Sequence, residues 1–396
     1  MPRRRTIPAL VTAALLAGLS GCSSDDSPTH EPSLLDPPKA GEGVQFAMTT
    51  TIPAGTEAEH CTFVRAPADA DLWVQRDEVR FTQGSHHVLL YQTPYTEIPT
   101  QREDGTPVDT SGVFDCSDGA TNGFRITKLI GGSQNAEGDS LLAFPAGVAM
   151  RVEAGAVLLL NVHYVNASAQ DLKPEVRMNL YTVPQASVVT EGDVLFLYNP
   201  LIAVGANASS RARMRCPVHH DITLANVQSH MHKRGVGYGA QVDQAAPFYE
   251  SATWANVPVQ VFEPGLVVHA GSKLDYHCDY ENQEARDVFQ GPRSTDEMCM
   301  LIGSYYPTDR ATANCEDDDG NLAAEWVGEG SATCADTLGC IQSAFAADAP
   351  LQGITTCMLA ADPAVSVESS AALDCILRSA DPIHDCAPQI GACAAK

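Results

Sequence analysis

Six side chains carry the chemistry this sequence is equipped for. Ser229-His230-Met231-His232-Lys233-Arg234-Gly235 closes an apolar run, Ile222 to Gln228, that reads as a strand. Side chains alternate faces along a strand, so His230 and His232 point the same way and both imidazoles can reach one metal ion. A second set lies upstream, at His86-His87 and His163. His86 and His87 are strand neighbours on opposite faces, so they share an ion only if a bulge or a strand end re-aims one of them. His163 sits in Leu158-Leu159-Leu160-Asn161-Val162-His163-Tyr164-Val165, where a histidine is ordinarily a core residue with a satisfied partner. Facing His86 and His87 across a sandwich, it would complete an all-imidazole site suited to copper or zinc. Met298, in Asp296-Glu297-Met298-Cys299-Met300, adds a thioether to His230 and His232. A soft sulfur ligand favours Cu(I) over zinc or magnesium.

The elements that must position these residues are short. From Val44 to about Val183, apolar runs such as Leu72-Trp73-Val74, His87 to Tyr91, Leu141 to Phe144 and Ala156 to Val165 alternate with Pro and Gly turns. From about Ala186 to Asp309 the style repeats, with strands expected at Val194 to Tyr198, Ile222 to Gln228, Val257 to Phe262 and Met300 to Tyr306. The pattern predicts a mainly β protein of two tandem antiparallel β-sandwich, jelly-roll-like domains, 44–184 and 185–312, joined near Pro184-Gln185. From about Ala323 aromatics thin out and cysteines recur at 334, 340, 357, 375, 386 and 393. Residues 323–396 are expected to form a small helical appendix held by up to three disulfides, with Ser366 to Arg378 helical. It would serve as a stabilising cap or dock a protein partner.

The chain has 396 residues, with 49 acidic against 24 basic side chains and a formal charge of −25. That balance excludes a nucleic-acid partner, which needs a basic patch. Met1-Pro2-Arg3-Arg4-Arg5 followed by the apolar run Ile7 to Leu19 reads as a secretion signal, too short to span a membrane. It ends in Leu19-Ser20-Gly21-Cys22, similar to the lipobox of bacterial lipoproteins. That resemblance implies cleavage after residue 21, lipidation of Cys22 and a membrane anchor in a bacterial cell envelope. Ser23 points to the outer membrane. Residues 23–43, rich in Ser, Asp and Pro, are expected to be a disordered tether. Of thirteen cysteines, Cys22 leaves twelve in an oxidising compartment, so disulfides are expected and thiolate ligands are not.

His86-His87-Val88-Leu89-Leu90, Phe144-Pro145-Ala146-Gly147-Val148, Val162-His163-Tyr164, His230-Met231-His232 and Glu297-Met298-Cys299 followed by Tyr305-Tyr306 occur in that order. In this order and spacing the chain resembles the copper type II, ascorbate-dependent monooxygenases over roughly Val44 to Asp309. The resemblance implies two mononuclear copper sites facing each other across a solvent-filled cleft. His86, His87 and His163 would hold the electron-supplying copper, and His230, His232 and Met298 the oxygen-binding copper. It further implies hydroxylation of a C–H bond in a small organic substrate, using O2 and ascorbate or another one-electron reductant. It also implies the disulfides Cys61–Cys116, Cys216–Cys315 and Cys278–Cys299, the last fixing the neighbour of Met298.

The chain departs from the peptide-amidating members where they hold the substrate carboxylate: Gln228, Met300 and Ile302 stand at those positions. A bidentate carboxylate clamp is therefore absent, and apolar Met300 and Ile302 suit a less polar substrate. The competing expectation is an envelope lipoprotein that binds and sequesters copper at the same ligands without turnover.

Overall fold

The computed structural model describes residues 33–119, 121–135, 141–317, 319–346 and 350–396. The signal segment, Cys22 and residues 23–32 of the expected tether lie outside the described residues. In chain order the first strands are β1 (Gly43–Thr49), β2 (Glu57–Arg65), β3 (Leu72–Phe81), β4 (Ser85–Gln92), β5 (Phe114–Asp115), β6 (Lys128–Ser133), β7 (Val148–Val152), β8 (Val157–Val165), β9 (Glu175–Thr182) and β10 (Thr190–Glu191). Then follow β11 (Asp193–Tyr198), β12 (Ala203–Val204), β13 (Ser209–Pro217), β14 (Ile222–Met231), β15 (Gly235–Val242), β16 (Tyr249–Ser251), β17 (Gln260–Val268), β18 (Lys273–Glu281), β19 (Val288–Phe289), β20 (Cys299–Tyr306) and β21 (Glu325–Val327). The helices are α1 (Arg310–Asn314), α2 (Cys334–Ala344), α3 (Pro350–Leu359), α4 (Ser366–Arg378), α5 (Pro382–Asp385) and α6 (Ala387–Ala394).

The protein is mainly β, with a helical, disulfide-rich C-terminal region. Sheet I runs β1-β9-β3-β7-β10 and sheet II β5-β2-β8-β4-β6. Sheet III runs β11-β20-β14-β17 and sheet IV β16-β15-β18-β13-β21, with a separate ladder β12-β19. Among these strands the pairings are antiparallel except the short parallel one between β10 and β7. One apolar core draws on sheets I and II, including Val74, Met178, Leu180, Val88, Leu90 and Leu160. A second draws on sheets III and IV and the C-terminal helices.

β8 shows how sequence becomes layer. Its run Val157 to Tyr164 is buried throughout because the strand lies between β2 and β4 and is covered on both faces. Leu158, Leu159 and Leu160 have no exposed surface, and each contributes about 1.5–3 kcal/mol of apolar burial.

Several expectations shift. The end of the expected tether is ordered: the Gln45 side chain donates to the Leu35 carbonyl and Asn179 to that of Asp36, and Gly43 already belongs to β1. The chain leaves sheet I at Gly192 and not at Pro184-Gln185, which only opens a short 3-10 turn. After that turn β10 still pairs with β7, and a side chain at Gly192 would meet Phe144 at 2.5 Å. Leu141 to Phe144 is no strand; Ala143 makes a single bridge to Arg76. The strand placed at Val257 to Phe262 begins at Gln260.

The C-terminal segment is helical and closed by Cys334–Cys393, Cys340–Cys357 and Cys375–Cys386. A reciprocal Thr333–Asp336 capping box starts α2. It is less separate than expected. β21 pairs with β13, and Ile341, Ile354, Met358 and Leu373 enter the second core. The Ser366 hydroxyl donates to Glu325 and the Trp326 N–H to Ser370, which stitches α4 to the sheet.

Candidate metal centre

The first histidine set is built within sheet II. His87 on β4 stands directly across from His163 on β8, so both side chains leave the same face. The register shifts between Ser85 and His87, and this bulge frees His86 from strict alternation. The three imidazoles come together with ligand nitrogens all within 4.8 Å of one another. They are neighbours on one face of one sheet and do not face one another across a sandwich as anticipated. The His86 and His87 Nδ1 atoms lie 3.4 Å apart. His163 Nε2–H donates to Glu57 Oε1 at 2.8 Å, leaving His163 Nδ1 buried with no partner. Glu57 is fixed in turn by the Ser294 N–H at 2.6 Å and the Ser294 hydroxyl at 2.8 Å. On the same face of β8, the Asn161 amide donates to both sulfurs of Cys61–Cys116.

The second set is built on sheet III. His230 and His232 stand two apart at the end of β14, and their ring centroids are 5.3 Å apart. Gln134 fixes the first ring. Its amide nitrogen donates to Gln228 Oε1 at 2.9 Å and to the Ser229 carbonyl at 2.7 Å. Both N–H groups are thereby used, so Gln134 Oε1 is left to accept from His230 Nδ1–H, at 2.9 Å. His232 Nδ1–H donates to the Asp296 carbonyl at 3.1 Å, and its Nε2 is buried without a partner. The backbone is pinned by Glu297, which accepts from the His232 N–H at 3.1 Å and the Arg234 N–H at 2.9 Å. Met298 follows directly. Its carbonyl accepts from Tyr280 at 2.7 Å, and Cys299 is bonded to Cys278. The disulfides Cys61–Cys116 and Cys216–Cys315 are also formed.

The two sets are not separated by a solvent-filled cleft. His87 and His230 have ring centroids 5.8 Å apart and His86 and His232 6.4 Å, and Trp254 stacks on His86 at 6.3 Å. The cleft is replaced by direct apposition of sheets II and III, because Met298, Met300 and Ile302 join the first apolar core.

Beside the imidazoles lies a cavity of about 460 Å³. Gln228 pairs with Ile302 and His230 with Met300 in register, which places all three expected substrate-cleft residues on one wall together with Met298. Phe196 and Tyr198 extend that wall, and Leu89 and Tyr91 form the opposite one. Sequence reasoning missed these four. Leu89 and Tyr91 alternate with His87 along β4, so the strand period could have found them. Gln134, Glu57 and Glu59 were also missed. Nothing local marks them, because their role depends on residues 94, 106 and 28 positions away.

The electrostatics favour neutral imidazoles at His86, His87, His230 and His232. Burial, then the charge of His163, pushes His86 down to about 4. Burial likewise pushes His232 down to about 4, against the opposing effect of the hydrogen bond to the Asp296 carbonyl. His87 and His230 fall well below the ordinary range through burial and, after it, through neighbouring imidazoles, His163 first for His87 and His232 first for His230. Burial would raise the Glu57 carboxyl, but donation from His163 and Ser294 outweighs it and holds it at about 2. Glu59, 3.6 Å from His87 Nε2, is raised by burial to about 7. Neutral nitrogens with their opposite N–H groups tied off are the donors a metal ion takes. A thioether on the same cavity wall fits copper. Among the described residues no helix is long and apolar enough to cross a membrane.

No family model and no curated protein matches the chain. Among solved structures it is similar to the major capsid protein P2 from bacteriophage PM2, at 9% identity over 67% of this chain and 100% of that one, with a TM-score of 0.27. It is also similar to a peptide-N(4)-(N-acetyl-β-D-glucosaminyl) asparagine amidase, at 10% identity over 67% of this chain and 97% of that one, with a TM-score of 0.30. Overlaps this loose carry no functional argument.

Proposed function

We propose that this chain is a copper-dependent monooxygenase that hydroxylates a C–H bond of a small organic molecule. In this reading, which follows the resemblance to the copper type II ascorbate-dependent family, sheets I and II and sheets III and IV are two tandem sandwiches. His86, His87 and His163 would hold one copper; His230, His232 and Met298 would hold the other. The observation that carries the reading is the pair of orphaned nitrogens. His163 Nδ1 and His232 Nε2 are buried without partners, while the opposite nitrogen of each ring is tied off by Glu57 and by the Asp296 carbonyl. Bare buried nitrogens cost free energy unless something fills the coordination.

Copper when bound supplies one-electron redox chemistry and a site for O2. The overall balance is one oxygen atom into the C–H bond and the other into water, with two electrons and two protons from ascorbate or another one-electron reductant. The protein's share is placement. Glu57 and Gln134 fix the tautomers of His163 and His230, Glu297 ties the end of β14 to the segment bearing Met298, and Cys278–Cys299 holds that segment on sheet IV. Leu89, Tyr91, Phe196, Tyr198, Met300 and Ile302 exclude water from the space where a substrate would lie. Among the described residues that line the cavity there is no lysine or arginine, which suits a substrate without a carboxylate. A cavity adjoining the imidazoles favours turnover over sequestration, since a storage site needs no space beside its ligands. Anchoring through a lipidated Cys22 in the outer membrane belongs to the same proposal.

Copper content and oxygen uptake test this reading. Purified chain loaded with copper is expected to bind two ions and to consume O2 with ascorbate in the presence of neutral apolar substrates. Retained copper without substrate-dependent uptake would mean sequestration. No copper would remove the reading altogether.

A further inference from the structure

The spacing between the two histidine sets is only slightly wider than the spacing inside them. Within the first set the ring centroids lie 5.1, 5.2 and 5.6 Å apart, and within the second 5.3 Å. Between the sets they lie 5.8 and 6.4 Å apart. Rings this close leave no layer of water between them. Any two ions held by these donors therefore experience each other's charge with little screening.

The apposition is held on several sides by groups outside the rings. Glu57 of β2 accepts two hydrogen bonds from Ser294, which lies in the segment leading to Met298. Gln134, beyond β6, donates to Gln228 and Ser229 of β14. Further along β20, the Ser304 hydroxyl donates to the Leu141 carbonyl at 2.9 Å and accepts from the Ala143 N–H at 3.1 Å. Between these links, Met298, Met300 and Ile302 pack into the core shared by sheets I and II. A hinged cleft would have none of these polar links, because opening it would strand their partners.

We infer that the five imidazoles form one contiguous donor array, which holds two copper ions as a magnetically coupled pair in place of two independent centres. The inference rests on the copper reading above, and it departs from the separated sites that the family resemblance implies. In this array His87 and His230 are the adjoining members, each belonging to its own set while facing the other. The links through Glu57, Gln134 and Ser304 keep the pair together, and the cavity opens to one side of it.

The test is a spin count. The full chain is loaded with Cu(II), copper is measured by elemental analysis, and the electron paramagnetic resonance signal is integrated. The expected result is two coppers per chain with well under half of them detected as isolated Cu(II) spins. His163→Ala, in which a single copper remains on the second set, is expected to give one spin per copper, and Met298→Ala covers the case in which that variant does not fold. Two coppers with one full spin each would overturn the inference while leaving the copper reading intact. A single copper per chain would overturn it as well, since one ion would then satisfy the whole array. Absence of copper would instead remove the reading beneath it.

Discussion

The first histidine set comes from two strands and the second from one. His87 and His163 meet because β4 and β8 are paired in register, and His86 joins them only through the bulge after Ser85. His230 and His232 meet because they stand two apart at the end of β14 and just past it, and their third candidate ligand, Met298, is delivered just ahead of the adjacent strand β20. The supports differ in the same way. Glu57 reaches His163 from β2 across the sheet, whereas Glu297 binds the backbone just past β14 from the residue before Met298. A site drawn from several strands depends on register. A site drawn from one strand depends on the segment that closes it. This contrast makes separable predictions for the two sets.

The largest effect is expected from His87→Ala. It removes a ligand from the first set and the neighbour of His230, so copper analysis should show loss of the first ion, with the second kept. If both ions are lost, the sets are not separable in binding. Next comes Glu297→Ala. Glu297 has no exposed surface and pairs with buried Arg234 at 3.3 Å. Its loss leaves that guanidinium without one of its carboxylates, and denaturant unfolding should show a cost of about 3–5 kcal/mol. Copper at the second set should weaken with it while the first set is spared.

Replacing Cys278 and Cys299 together by serine should lower stability by about 2–4 kcal/mol. It should affect copper at the second set alone, because only Met298 is held by that bridge. Glu57→Gln and Gln134→Leu form a matched pair. Each removes the partner that fixes one histidine tautomer, and each should weaken copper at its own set by about 10–100-fold in isothermal titration. Equal weakening of both sets by either change would show the supports to be shared. The smallest effect belongs to Ile383→Ser in the C-terminal region. Ile383 is 80% exposed and touches neither set, so stability should shift by no more than about 0.5 kcal/mol and copper content should not change.

Much of this was legible beforehand because it is local. Alternation along a strand placed His230 and His232 on one face, and the same rule required a bulge at His86-His87. Apolar runs between Pro and Gly turns marked β3, β4, β8, β11, β14, β17 and β20, and helix-forming composition marked Ser366 to Arg378. The twelve cysteines left beside Cys22 announced disulfides, although spacing alone left the C-terminal pairings open among fifteen. Gln228, Met300 and Ile302 were singled out together, and register places them on one cavity wall.

The tertiary structure decided what depends on strand partners far apart in the chain. No local pattern says that β4 pairs with β8 so that His87 stands opposite His163, since register is fixed by the sheet as a whole. None says that Gln134 would spend both amide N–H groups on β14 and thereby set the tautomer of His230. The approach of the two histidine sets is of the same kind. The sequence determined which donors the protein has and, through period and punctuation, most of the strands that carry them. The packing of sheet II on sheet III decided that those donors meet with no solvent between them, because burial of Met298, Met300 and Ile302 brings the two faces together and the polar links at the edges hold them there.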